Sequence, residues 1–120
     1  MSLFNKLFGI KTKPGEPIEI SDEMFQAEVI ESEIPVVVDF YSRTCAPCTI
    51  MRSLLSEIGP EYFEKVKIVK LNVSEYQEIA AKYHIASVPT LIFFKEGKPV
   101  DSVVGLLQLN PLKEKFDNLL

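Results

Sequence analysis

The chain is poor in residues on which several common kinds of protein depend. Its 120 residues include no tryptophan, one histidine and two cysteines. Two cysteines are too few to staple a loop-rich secreted scaffold, so a catalytic or metal-binding pair is favoured over a disulfide framework. Basic residues are also scarce, with 13 lysines and arginines against 17 acidic residues and a formal net charge of -4. Nucleic-acid binding needs a positive footprint that this balance does not provide, so we expect no nucleic-acid partner.

Long hydrophobic runs are absent as well. No stretch approaches the roughly 20 apolar residues that span a bilayer, and the N-terminus lacks the apolar core of a signal peptide. We therefore expect a cytoplasmic protein. Because 47% of the residues are hydrophobic, the chain has enough apolar side chains to build the core of one domain.

Prolines and a glycine divide the chain near its start. Pro14, Gly15 and Pro17 interrupt regular structure, so we predict an appendage over residues 1–17 and a domain over residues 18–120.

The appendage forms a short amphipathic pattern. Written as a helix, it carries four apolar residues on one face: Leu3, Phe4, Leu7 and Phe8. Three outcomes stay open for it. These are packing on its own domain or a second copy, disorder, and docking to a membrane or a partner.

Strand and helix patterns alternate along the domain. β-Branched runs over residues 35–42 and 66–73 predict strands buried on both faces, and residues 90–105 predict a hairpin around a Lys-Glu-Gly-Lys turn. Helices are predicted between the strands, with Ser21 and Ser74 as N-caps of two of them. This order describes an α/β fold whose central mixed sheet is covered by helices on both faces.

Both cysteines lie where a predicted buried strand meets a helix predicted over residues 46–58. Unpaired N–H groups and the positive dipole end at a helix N-terminus stabilise a thiolate and lower its pKa. We therefore predict Cys45 as the nucleophile and Cys48 as the less accessible resolving thiol, with Pro47 limiting the freedom of the loop. Two alternatives stay open: half of a zinc site, which needs further ligands, and a pair of inert buried thiols.

A carboxylate in the middle of the predicted buried strand is the second unusual feature. Ionising Asp39 there is costly, which makes it a candidate functional group. The alternative is an ordinary ion pair between Asp39 and Lys70 at a half-exposed strand end.

Over residues 18–120 the chain resembles the thioredoxin family. The resemblance rests on four segments in the family's order and spacing, VVVDFYSRTCAPC, KIVKLNV, YHIASVPTLIFFKEGKPV and VVGLLQLNPLKEKFDNLL. It implies a thioredoxin fold, in which a mixed five-stranded β-sheet is flanked by four helices, and dithiol–disulfide exchange on protein substrates. It also implies a cis peptide bond between Val88 and Pro89, with Pro89 packed against the disulfide.

The resemblance also implies roles for further residues. Asp39 would lie beneath Cys48 and move its proton, with Lys70 close by. Our hypothesis is that Asp39 helps to deprotonate Cys48 during resolution. A substrate would add to the backbone near Val88 like a strand, and Gly105 would keep that groove shallow; a strand-end bulge is the alternative reading of Gly105. The full set expected to bind substrate is Tyr41, Thr44, Ala46, Pro47, Val88, Pro89 and Gly105.

Three members of that set depart from the family pattern. Thr44 and Ala46 stand where the family has tryptophan and glycine, and Tyr41 replaces a second tryptophan. The flat surface that tryptophan supplies beside the nucleophile is therefore missing, which makes a specialised substrate range or reductase contact an open alternative.

The expected function is that of a protein disulfide reductase without a bound cofactor or metal. The cysteine pair itself carries the electrons, and the resemblance implies that a thioredoxin reductase-like protein drawing on NADPH restores the dithiol. The expected substrates are disulfide-containing proteins. Two alternatives stay open: a thioredoxin-fold binding module that holds a partner near Pro89, and a disulfide oxidant or isomerase.

Overall fold

The computed structural model describes residues 13–120. Five strands form one sheet in the order β1-β3-β2-β4-β5. Their bounds are β1 Ile18–Glu19, β2 Val36–Tyr41, β3 Lys67–Asn72, β4 Thr90–Lys95 and β5 Lys98–Val104. β3 runs parallel to β1 and β2, and β4 runs antiparallel to β2 and β5. The predicted mixed five-stranded sheet is confirmed. The amphipathic pattern at the start of the chain lies outside the described residues.

Helical segments lie at the four positions at which the sequence predicts helices, but the N-cap prediction for Ser21 is wrong. A turn over residues 22–24 follows Ser21, and the first helical segment starts with Phe25 at its N-cap and no side-chain cap. The four segments are a π-helical segment Gln26–Ile30, then α1 Ala46–Ile58, α2 Gln77–Lys82 and α3 Leu109–Asp117, with a 3₁₀ turn Gly59–Tyr62 after α1. The predicted bounds of α1 are confirmed. No helix within residues 13–120 has the length and apolar character needed to cross a membrane.

The start of α2 differs from the prediction. The helix begins beyond Ser74, and the groups that accept its first N–H bonds come from a distant part of the chain. The Asp22 carboxylate accepts from the N–H groups of Glu78 and Ile79 at 3.2 and 3.1 Å. A carboxylate satisfies these unpaired donors and also favours the positive end of the helix dipole, so Asp22 takes the role predicted for Ser74.

The sheet separates two hydrophobic clusters because strand side chains alternate between its faces. One cluster, hereafter the α1/α3 core, includes Val37, Met51, Leu55, Phe93 and Phe116. The other, hereafter the α2 core, includes Val38, Phe40, Val69, Leu71 and Phe94. Every residue of β2 is buried, so the central strand is packed on both faces and leads directly into the cysteine loop.

The segment before β1 packs against the end of α1. Gly15 has a φ of +85°, and a Cβ on either Gly15 or Gly59 would overlap the carbonyl of the other residue. Both positions therefore need glycine for close approach of the two backbones. This contact holds residues 13–17 on the domain.

Candidate active site

The cysteine pair lies at the junction of β2 and α1. Cys45 is the N-cap of α1 in an extended conformation, and Pro47 occupies the first turn, where its missing N–H costs no helical hydrogen bond. The two cysteines form a disulfide with a Cα–Cα distance of 5.2 Å. The backbone N–H of Cys48 donates to the Cys45 Sγ at 3.1 Å. A thiolate on Cys45 would accept this same bond, which is the stabilisation expected at a helix N-terminus.

The two cysteines differ in their exposure to solvent. Cys48 is buried, with 3% of its surface exposed, whereas Cys45 is half-buried. Cys45 is therefore the more accessible of the two cysteines. The zinc alternative calls for further ligands, and the part of the chain from residue 13 onward contains no group of three or more His, Cys, Asp or Glu residues that could hold a metal ion.

The loop before β4 lies against the nucleophile. The peptide bond between Val88 and Pro89 is cis, and the Val88 carbonyl oxygen lies 3.7 Å from the Cys45 Sγ. Gly105 donates its N–H to the Pro89 carbonyl at 2.8 Å, which brings the end of β5 to the same rim. Gly105 has a φ of +84°, and a Cβ there would meet nothing within 4 Å. Backbone conformation, more than lack of space, is the local reason for this glycine.

The residues next to the cysteines divide into two groups. Thr44, Ala46 and Pro47 are exposed around Cys45. Tyr41 is 8% exposed, and its hydroxyl donates to the Glu19 carboxylate at 2.6 Å. Tyr41 thus faces Glu19, and its assignment to substrate binding stays a prediction.

Asp39 lies deep in the sheet beside the cysteine loop. It is 1% exposed, and its Oδ1 has no hydrogen-bond partner within the described residues. Burial raises the pKa of Asp39 to about 7, although the positive charges of Lys70 and Arg52 act in the opposite direction. A carboxyl group with this pKa exchanges its proton near neutral pH.

The contacts of Lys70 do not fit the alternative of an ordinary ion pair with Asp39. Its Nζ lies 3.9 Å from the Glu19 carboxylate, and this is the ion pair that Lys70 makes among residues 13–120. Asp39 is buried instead of half-exposed. The structure therefore contradicts the alternative of an ordinary Asp39–Lys70 ion pair at a strand end.

A pocket of about 490 Å³ opens beside Asp39 and Cys48. Its other charged lining residues are Glu19, Arg43, Arg52, Lys70 and Glu75. The buried carboxyl group of Asp39 and the buried Cys48 thus line the same pocket.

Two charged residues of this pocket that act on Asp39, Arg52 and Glu19, were not singled out by sequence reasoning. Arg52 follows Cys48 by four positions on α1 and therefore shares its face, which is a signal readable from spacing. Glu19 gives no such signal, because only the pairing of β1 with β3 brings it to Lys70.

The two sulfur atoms of this site form a disulfide in the structure, and thiol–disulfide exchange can open such a bond to a dithiol. The protein is a thiol–disulfide oxidoreductase, and its cysteine pair fits a dithiol–disulfide reductase that acts on disulfide-containing substrates. The pair is itself the redox group, and the chemistry needs no bound cofactor.

Comparisons with known proteins agree with this class. The thioredoxin family profile matches residues 16–118. Thioredoxin of Rickettsia bellii (strain RML369-C) is 41% identical over 99 residues, covering 82% of this chain and 94% of the relative. Thioredoxin C-2 of Corynebacterium nephridii is 44% identical over 100 residues, covering 83% and 93%. Thioredoxin 1 of Synechococcus elongatus (strain ATCC 33912 / PCC 7942 / FACHB-805) is 42% identical over 98 residues, covering 82% and 92%. The chain belongs to the thioredoxin family.

Proposed function

We propose that the protein reduces disulfides of other proteins, with Cys45 as the attacking thiol and Cys48 as the resolving thiol. The Cys45 thiolate attacks one sulfur of the substrate disulfide, forms a mixed disulfide and releases the other substrate sulfur as a thiolate. Cys48 then attacks Cys45, which releases the second substrate thiolate and leaves the Cys45–Cys48 disulfide. The substrate gains two electrons and the cysteine pair loses two. The observation that carries the assignment is the Cys48 N–H bond to the Cys45 Sγ, 3.1 Å, at the start of α1.

Asp39 is the proposed base for the resolving step. The Cys48 thiol must lose its proton before it attacks, and the Asp39 carboxyl group lines the same pocket. Its pKa of about 7 allows it to accept that proton near neutral pH and to pass it to water. Lys70 assists by favouring the ionised carboxylate.

Substrate binding is proposed on the rim around Cys45. The Val88 carbonyl, 3.7 Å from the Cys45 Sγ, supports pairing with an extended substrate backbone in the manner of an added strand. Exposed Thr44, Ala46 and Pro47 provide contacts on one side. Pro89 and Gly105 form the other side, linked by the 2.8 Å hydrogen bond between them.

The oxidised pair must be reduced again after each turnover. We propose that a thioredoxin reductase-like protein does this with electrons from NADPH, and that the protein acts in the cytoplasm, where thiols are kept reduced. The cysteine pair stores only the two electrons of one dithiol, so each turnover needs electrons from another molecule. Family membership supports a protein partner in that role.

Trapping the mixed disulfide tests the cysteine assignments. We expect the reduced, full-length Cys48→Ser variant to accumulate a covalent complex through Cys45 when it is mixed with insulin, whose disulfides serve as substrate. The matched Cys45→Ser variant should form little or none, because Cys48 is buried. Non-reducing electrophoresis and mass spectrometry of the linked peptides measure both.

Turnover separates the reductase from a binding module. With dithiothreitol as electron donor, the wild-type chain should reduce many equivalents of insulin, and each serine variant should lose at least about 100-fold in rate, since neither can complete the exchange. Complex formation through Cys48 instead of Cys45 would reverse the assignments. Stoichiometric binding of insulin without turnover would favour the binding module.

A further inference from the structure

Three charged side chains lie in a row across neighbouring strands of the sheet. Glu19 of β1 is the register partner of Lys70 in β3, and Lys70 is the register partner of Asp39 in β2. Register partners in adjacent strands point to the same face of a sheet. Lys70 therefore lies between two carboxyl groups, one at the sheet edge and one in its centre.

The structure ties Lys70 to the edge carboxylate. Its Nζ lies 3.9 Å from Glu19 Oε2, and 5.9 Å from the centre of the Tyr41 ring. The Tyr41 hydroxyl donates to both Glu19 oxygens at 2.6 Å, which fixes the direction of that carboxylate. Asp39 Oδ1, by contrast, lacks a hydrogen-bond partner in the part of the chain that the structure describes.

We propose that Glu19 is a positioning residue: it holds Lys70 at the sheet edge and so weakens the stabilisation that Lys70 gives to ionised Asp39. The carboxylate of Glu19 and the buried carboxyl group compete for one ammonium group. The consequence for the resolving step rests on the proposed function, in which Asp39 accepts the proton of Cys48.

Other titratable groups line the pocket together with Asp39 and must be considered with Glu19. From α1 these are Arg52 and Cys48; from the end of β2 and the loop after it, Tyr41 and Arg43; and from the segment before α2, Glu75 and Tyr76. Replacing Glu19 leaves all of them in place. Its negative charge raises the pKa of Asp39, whereas Lys70 lowers that pKa. Removal of the Glu19 charge should therefore lower the pKa of Asp39. Release of Lys70 toward Asp39 should lower it further.

Glu19→Gln in the full-length chain is the test variant, because glutamine keeps the side-chain shape and still accepts a hydrogen bond from Tyr41. The Asp39 carboxyl ¹³C chemical shift is titrated in the oxidised protein, where Cys48 does not titrate. We expect the midpoint to fall by about half to one pH unit. The pH profile of mixed-disulfide resolution, followed by stopped-flow release of a labelled peptide thiol, should shift by a similar amount.

Two comparisons separate this role from a general charge effect. Glu75→Gln removes one negative charge from the same pocket and should move the midpoint less, because Glu75 is outside the row. In a Lys70→Gln background, Glu19→Gln should have a clearly smaller effect than in the wild-type background, because the two residues act through one another. The melting temperature alone would not reveal this coupling.

Each outcome decides the inference. A lower Asp39 midpoint that depends on Lys70 supports it. An unchanged midpoint, an equal shift in Glu75→Gln, or a shift undiminished without Lys70 overturns it. If the Asp39 midpoint moves with Lys70 present but the resolution profile does not, the role of Glu19 stands and the proposed role of Asp39 as base is wrong.

Discussion

At the scale of single residues, Asp39 combines a structural cost with a chemical use. Its pKa is 3.8 in an ordinary setting, and burial raises it to about 7 in the folded protein. Below about pH 4 both the folded and the unfolded state hold the proton. As the pH rises from about 4 to about 7, the unfolded state loses it first, so the free energy of unfolding falls. Well above pH 7 the folded state has lost the proton too, and Asp39 lowers the free energy of unfolding no further.

Asp39→Asn should remove this pH dependence, because asparagine does not titrate. Between about pH 4 and pH 8.5 we expect the oxidised variant to gain roughly 2 to 4 kcal/mol of unfolding free energy relative to the wild-type chain. Urea unfolding followed by circular dichroism at several pH values measures the difference. Parallel curves for the two proteins would show that Asp39 does not titrate abnormally in the folded state.

The sequence alone identifies the cysteine pair and the buried carboxyl group of this site, but it does not identify the residues that the fold brings next to them. Cys45 and Cys48 are recognisable from their spacing at a strand–helix junction, and Asp39 from its place inside an apolar run. Glu19 is not recognisable in this way, because its contact with Lys70 depends on strand order, which is a property of the whole sheet. Local patterns identify residues that react, whereas the partners that tune them come together only through the fold.

At the scale of elements, the same limit explains the start of α2. Ser74 is a reasonable N-cap by residue type, yet the Asp22 carboxylate accepts two N–H bonds of that helix from 56 and 57 positions away. The hairpin is the opposite case, since a two-residue turn fixes it locally. Glu96 and Gly97 both adopt positive φ, 53° and 76°, as the predicted turn requires. The domain boundary at residue 18 stays a prediction: Pro14 and Gly15 form a turn before β1, yet Gly15 also packs against Gly59.

Asp22→Ala tests the distant cap. Loss of both hydrogen bonds to the start of α2 should lower the free energy of unfolding by about 1 kcal/mol, with a range of roughly 0.5 to 2. Ser74→Ala is the matched control and should change it by less than about 0.5 kcal/mol. Chemical denaturation of both variants gives the comparison, and a larger loss for Ser74→Ala would restore the sequence-based assignment.

At the scale of the whole molecule, one sheet couples two hydrophobic clusters. Phe93 and Phe94 are adjacent in β4, yet Phe93 belongs to the α1/α3 core and Phe94 to the α2 core. A substitution that disrupts the packing of either cluster therefore also disturbs β4, which contributes to both. We infer that the domain unfolds as one cooperative unit, as small single domains usually do.

Phe116→Ala in the α1/α3 core and Phe94→Ala in the α2 core should each cost about 3 to 5 kcal/mol of unfolding free energy. Phe63→Ala is the matched control, because Phe63 is 44% exposed, and its cost should be well under that of either core variant. Far-ultraviolet circular dichroism and tyrosine fluorescence follow unfolding independently. Separate transitions by the two probes would contradict a single cooperative unit.

The contact between Gly15 and Gly59 also constrains how this sequence can change over time. Each glycine leaves space for the carbonyl of the other, so a first substitution at either position must separate the two backbones. A second substitution would then meet a gap that has already opened, so we expect the two effects to be less than additive. Position 15 keeps a penalty of its own, because its φ of +85° disfavours any residue but glycine. We therefore expect the two positions to change together, with Gly59 the easier to replace once the contact is lost.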